Sequence, residues 1–247
     1  MMRTLFASFG AVALLGASSA AFPAWSQEGH DWSGAYVGVH GGHAWGASEY
    51  TDAEYNGGFL IYPVVNWDVG SDGPLAGIHG GYNLQHGSFV VGIEGELGYL
   101  GLDGSAMQPG VDPVGVAYDA GGVIEKGLYG GLSLRLGVAF DRTLLYGKGG
   151  AVYSTAKVGF LDACDVAPCG NILFDASEEA GWGYQLGGGV EHALTDNWSI
   201  RGEYSYLDFG SVGIDGTMVG GGRTGDPAHV DADLAVHAFR IGVNYDF

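Results

Sequence analysis

From residue 32 to residue 247 the chain repeatedly alternates apolar with small or polar side chains, the period-two signature of a β-strand whose two faces meet different surroundings. In Trp32 to Trp45, Ala35, Val37 and Val39 share one face and Tyr36, Gly38, His40 and Gly42 the other. The same pattern recurs in Leu75 to Gln85, Phe89 to Tyr99, Leu128 to Phe140, Thr143 to Ser154, Trp182 to His192, Trp198 to Tyr206 and Ala235 to Phe247. A strand crossing a bilayer needs about 9–11 residues, apolar toward lipid and small or polar toward the lumen, and these runs have that length and character. The connections alternate as well. Short turns lie at residues 86–88, 141–142 and 194–197, and long stretches at 46–74, 100–127, 155–181 and 207–234. Membrane barrels have short periplasmic turns and longer extracellular loops. The expected fold is therefore all-β: an eight-stranded antiparallel up-and-down transmembrane β-barrel with four long extracellular loops and both termini periplasmic. A soluble β-sandwich is the competing architecture, but it does not demand connections that alternate strictly between short and long.

Residues 1–26 read as a signal peptide. Arg3 supplies the positive start, Leu5 to Leu15 the apolar stretch, and Ser18-Ser19-Ala20-Ala21 or Ala24-Trp25-Ser26 the small residues for cleavage, somewhere in 20–26. About a dozen apolar residues are too few for a spanning helix, which needs about 20. The barrel domain is then 27–247, with export to an outer membrane. Composition agrees: 48 of 247 residues are Gly, 13% are aromatic and 15% are charged, against about 7% Gly and 25% charged in ordinary soluble domains. The net charge of -19 argues against a nucleic-acid partner. Cys164 and Cys169, close together in an exported chain, suggest a local disulfide.

Strand parity places the scarce charges. Glu94, Glu96, Glu191 and Glu203 fall on the lumen side together with Arg135, Lys148, Arg201 and Arg240. An eight-stranded barrel is just wide enough for its side chains to fill it, and buried charges persist when paired. A structural charge network is the favoured reading. A small-solute porin with a charged constriction is the alternative. Glu94 and Glu96 share a face, but no Gly-x-Ser-x-Gly elbow or barrel-face Asp-His-Ser set accompanies them, and no Ser or Thr follows Lys148 in Gly147-Lys148-Gly149. No enzyme is expected. His40 and His79 face the lumen, while His43, His192 and His237 have lipid-side parity; no His-x₃-His pair occurs. Neither a metal nor another cofactor is expected.

Several segments resemble a known family. These are Asp31-Trp32-Ser33-Gly34-Ala35-Tyr36-Val37-Gly38, Gly80-Gly81-Tyr82-Asn83, Val91-Gly92-Ile93-Glu94-Gly95-Glu96, Arg135 to Arg142, Tyr146-Gly147-Lys148-Gly149-Gly150, Gly189 to Trp198, and the terminal Phe247. As an ordered set they resemble the alphaproteobacterial eight-stranded outer-membrane β-barrels, called outer-membrane immunogenic proteins or porin-family proteins. The resemblance implies the same fold and a choice among envelope integrity, host contact, weak pore activity and haem binding. It also implies that Phe247 is the aromatic signal read by the barrel assembly machinery.

The long connections are acidic. Glu49, Asp52, Glu54, Asp68 and Asp72 stand in the first, Asp103, Asp112, Asp119 and Glu125 in the second, Asp162, Asp165, Asp175, Glu178 and Glu179 in the third, and Asp215, Asp226 and Asp231 in the fourth. No segment has calcium-loop spacing. The first also carries Tyr50, Tyr55, Phe59, Tyr62 and Trp67, with Phe59 to Val65 a candidate hairpin above the membrane. Binding usually lives in such loops. The functional expectation is a non-enzymatic envelope barrel embedded in outer-membrane lipid with a surface or host ligand at its loops. A porin, or haem or cation capture at the loops, is the alternative.

Overall fold

The computed structural model describes residues 29–52, 66–109, 120–164, 172–217, 219, 224–225 and 227–247. The signal peptide, the proposed hairpin at Phe59 to Val65 and the Cys164–Cys169 pairing fall outside what is described. Among the described residues ten strands run in order: β1 (Gly34–Asp52), β2 (Asn66–His86), β3 (Phe89–Leu100), β4 (Gly104–Met107), β5 (Ala120–Glu125), β6 (Gly127–Phe140), β7 (Thr143–Cys164), β8 (Ile172–Ala193), β9 (Trp198–Thr217) and β10 (Pro227–Asp246).

Eight of them close a ring. β1, β2, β3, β6, β7, β8, β9 and β10 pair in succession, all antiparallel, and β10 returns to β1. The register fixes the stagger. Stepping from Trp45 through His237, Tyr206, Leu186, Gly149, Leu134, Ile93 and Tyr82 returns to β1 at Ala35, ten residues from the start. That shear tilts the strands by about 40°. Outward positions between Phe89 and Tyr99 are apolar or glycine on every ring strand, and their large side chains, Leu97, Leu134 and Ile241 among them, are mostly exposed. Aromatic girdles border the band. Trp198, Tyr245 and Phe247 lie at the end with the short turns, and Trp45, Tyr99, Tyr153, Trp182 and Tyr184 at the other.

The four long connections are mostly strand in their described parts. β1, β2, β7, β8, β9 and β10 run on beyond the outer girdle, and there the hydropathy reverses. Outward residues turn polar (Glu49, Asp68, Lys157, Asp215, Asp233), while inward ones turn apolar (Tyr50, Trp67, Val158, Ile214, Leu234). The ring also splits. The β8–β9 ladder ends at Tyr184–Asp208, and β2 meets the segment before β4 through the Asp72–Asp103 bridge and a hydrogen bond from Gly101 N–H to the Pro74 carbonyl. Two sheets result, β9-β10-β1-β2 and β4-β5-β7-β8. Gly181 and Gly210, with φ of 72° and 66°, flank the split beside register shifts in both neighbouring ladders. Such bulges turn a strand away from its partner. The sheets face each other across an apolar core: Trp67 lies 6.0 Å from Phe160, and Phe160 5.7 Å from Phe174, between ring centroids. The Tyr50 hydroxyl donates across to the carbonyls of Val123 and Gly159, and burial pushes its pKa up to about 12. The chain is a barrel within the membrane and a sandwich above it, because apolar surface must face lipid in one solvent and hide from water in the other.

Candidate functional site

All eight lumen charges come together, each with no more than about one-twentieth of its surface exposed. Lys148, from β7, is the hub. Its Nζ lies 2.9 Å from Glu94, 3.0 Å from Glu203 and 3.5 Å from Glu96. Glu94 also accepts from Arg201 at 2.5 Å and from the Tyr36 hydroxyl at 2.8 Å. Glu96 accepts from Arg240 at 2.5 Å, and Arg240 Nε lies 2.9 Å from Glu203. Glu191 holds Arg135 and accepts from Ser199 and Asn244. The Arg135 guanidinium sits 3.7 Å over the Tyr146 ring, whose hydroxyl donates to Glu203. Four carboxylates and four cations thus share one network.

Beside it runs a directed hydrogen-bond chain. Asn244 turns its Nδ2 to Glu191 and its Oδ1 to His79 Nε2, 2.5 Å away, so that nitrogen carries the hydrogen. His79 Nδ1 then accepts from His40 Nδ1 at 3.0 Å, and His40 Nε2 accepts from the Tyr129 hydroxyl at 2.8 Å. The Tyr129 oxygen accepts in turn from Arg240 at 3.2 Å. One hydrogen per imidazole satisfies the whole chain. Glycine makes the large lumen side chains possible: a Cβ at Gly98 would stand 2.6 Å from the Tyr129 ring. Tyr36, Tyr129, Tyr146, Gln185, Ser199 and Asn244 were not among the residues singled out from sequence, although their strand parity put them on the same face.

Apolar layers cap the network at both ends. At the periplasmic mouth Trp32 packs with Val90, Ala139, Leu144 and Ala193. Trp32 precedes β1 rather than opening the first strand, and its backbone N–H is held by Gln85 at 2.8 Å while His30 N–H reaches Asp141 O. Above the network lies the sandwich core. Tyr50 and Trp67, expected in a surface loop, belong to that core. His43, His192 and His237 face outward, with His43 3.3 Å from Asp72. Among the described residues no group of three His, Cys, Asp or Glu converges on a metal-sized point. The terminal Phe247 is exposed on the lipid side, its N–H donating to Ala35 O at 3.0 Å.

A closed antiparallel ring with a lipid-facing band, aromatic girdles and a polar lumen defines a transmembrane β-barrel of the outer membrane. The model of the outer membrane protein beta-barrel domain matches residues 9–247, and the chain belongs to that family. It is 25% identical over 218 residues to the 31 kDa outer-membrane immunogenic protein of Brucella melitensis, covering 87% of this chain and 84% of that one. It is 34% identical over 168 residues to the 22 kDa outer membrane protein of Rhizobium leguminosarum bv. viciae, covering 65% of each. Among solved structures, the outer membrane protease OmpT from Escherichia coli aligns with a TM-score of 0.51 at 10% identity, over 86% of this chain and 96% of that one; the likeness is one of fold. The protein resides in the outer membrane.

Proposed function

We propose that this chain is a non-conducting, non-enzymatic envelope barrel that holds a rigid acidic platform at the cell surface for contact with surface or host ligands. The observation that carries this reading is the three-layered lumen: an apolar stopper around Trp32, the ion-paired belt around Lys148, and the apolar sandwich core above. An ion crossing it would have to enter two dry layers. Membrane lipid surrounds the band, and the assembly machinery reads Phe247 during insertion.

Single-channel recording of refolded residues 27–247 in planar bilayers tests the reading. A silent, folded barrel is expected. Steady, reproducible openings would instead make the chain a small-solute porin, with the belt around Arg135 and Arg201 as its constriction.

A further inference from the structure

The outer face of β9-β10-β1-β2 changes character in three tiers at the membrane border. The lowest is a run of rings. His43 and Trp45 lie 6.5 Å apart at 21°, Trp45 and His237 6.0 Å at 20°, and His237 and Tyr204 6.1 Å at 29°. Tyr206 joins His237 at 5.2 Å. The array is locked by hydrogen bonds: the Tyr204 hydroxyl donates to His237 Nδ1 at 2.7 Å, and the hydroxyls of Tyr184 and Tyr206 donate to one oxygen of Asp208.

Register places a second row directly above the Trp45–His237 row, made of Gly70, Ala47 and Ala235 with Asp208 at its end. A third row follows: Asp68, Glu49 and Asp233 on adjacent strands, all exposed. Like charges directly opposite in a sheet are destabilising, and no Lys or Arg offsets them: among the described residues β1 and β2 contain none, and those of β9 and β10 point into the lumen. The result is a recess with an aromatic sill, a flat floor of small residues and a carboxylate lintel. Rows spaced two residues apart, on strands about 4.8 Å apart, leave a floor that accommodates about two pyranose rings.

We propose that this recess seats the sugar headgroup of an outer-leaflet glycolipid. The C–H face of a sugar ring packs on aromatic faces, and its hydroxyls donate to carboxylates. The absence of Lys and Arg from the outer face of these strands, among the described residues, disfavours phosphate. The recess is continuous with the lipid-facing wall below it, where Phe239 and Ile241 are exposed, so its occupant is membrane-borne rather than free in solution. The proposal holds for a conducting or a silent barrel, and its test reads lipid retention, not current.

The full chain is refolded into phosphatidylcholine nanodiscs doped with either digalactosyl diacylglycerol or phosphatidylglycerol, extracted, and its retained lipid measured by native mass spectrometry. Preferential retention of the galactolipid is expected. Trp45→Ala should lower it about tenfold, the equivalent of roughly 1.4 kcal/mol. Ala47→Leu, which fills the floor and leaves every ring in place, should do the same. Tyr99→Ala, in the girdle on β3, should leave it unchanged. Equal losses from Trp45→Ala and Tyr99→Ala would mean general interfacial anchoring and overturn the proposal. So would equal retention of phosphatidylglycerol, no effect of Ala47→Leu, or equally strong binding of soluble digalactose.

Discussion

Replacing Lys148 by Met removes the one cation that touches three lumen carboxylates, at 2.9, 3.0 and 3.5 Å, while the thioether chain fills most of the vacated stem. Breaking a buried ion pair by deleting one partner costs about 3–5 kcal/mol, because the remaining charge is left uncompensated. Here each carboxylate keeps another partner: Glu94 keeps Arg201 and Tyr36, Glu96 keeps Arg240, and Glu203 keeps Arg240 and Tyr146. The loss should therefore fall at the lower end, about 3 kcal/mol. Urea unfolding of the barrel in lipid vesicles, followed by tryptophan fluorescence, measures it. Adding Glu203→Gln to Lys148→Met restores charge balance, so the double variant should recover at least half of the loss, a coupling visible only because the two groups touch. A Lys148→Met barrel within about 0.5 kcal/mol of the parent, or a double variant as unstable as the two singles added, would refute a load-sharing ion network. If the barrel is silent as proposed, these variants should be silent too, since the apolar layers on either side are untouched.

Three further outcomes follow from other parts of the molecule. Phe174→Ala, at the centre of the sandwich core and 2% exposed, should cost about 3–5 kcal/mol and speed proteolysis above the membrane while the band residues stay protected. Gly98→Val should cost about 1–3 kcal/mol by overpacking, and Tyr129→Phe should not rescue it, because the clash is with the ring and not the hydroxyl. His229, on the exposed face of β10, lies 2.7 Å from Asp215 and 3.3 Å from Asp231, and its hydrogen bond to Asp215 raises its pKa. A raised folded-state pKa adds stability that is full below the ordinary histidine range and lost as pH rises through the shifted value. Amide protection in the β9–β10 hairpin, taken relative to the intrinsic exchange rate at each pH, should therefore fall from mildly acidic to alkaline pH, and Asp215→Asn should flatten that dependence.

Phe89–Leu100 and Gly127–Phe140 match the strands expected from alternation to within a residue, and the periplasmic ends of the other ring strands match to within two, because lipid on one side and a packed polar lumen on the other force a strict period of two. Parity alone also put Glu94, Glu96, Glu191, Glu203 and the four cations on a common face. The outer ends were missed by about seven to eleven residues on β1, β2, β7, β8, β9 and β10. There the alternation continues, but its sign reverses, so Trp67-Asp68-Val69 or Val212-Gly213-Ile214 reads as loop when only a lipid-facing pattern is sought. Local sequence shows which residues share a face. It cannot show which face is inside, since that depends on whether lipid or water surrounds the strand at that height. The tertiary structure also decided what the strands enclose. Lys148 meets three carboxylates on two other strands, and Tyr129 finds room only because Gly98 stands beside it, relations set by barrel closure and a shear of ten that no single segment encodes.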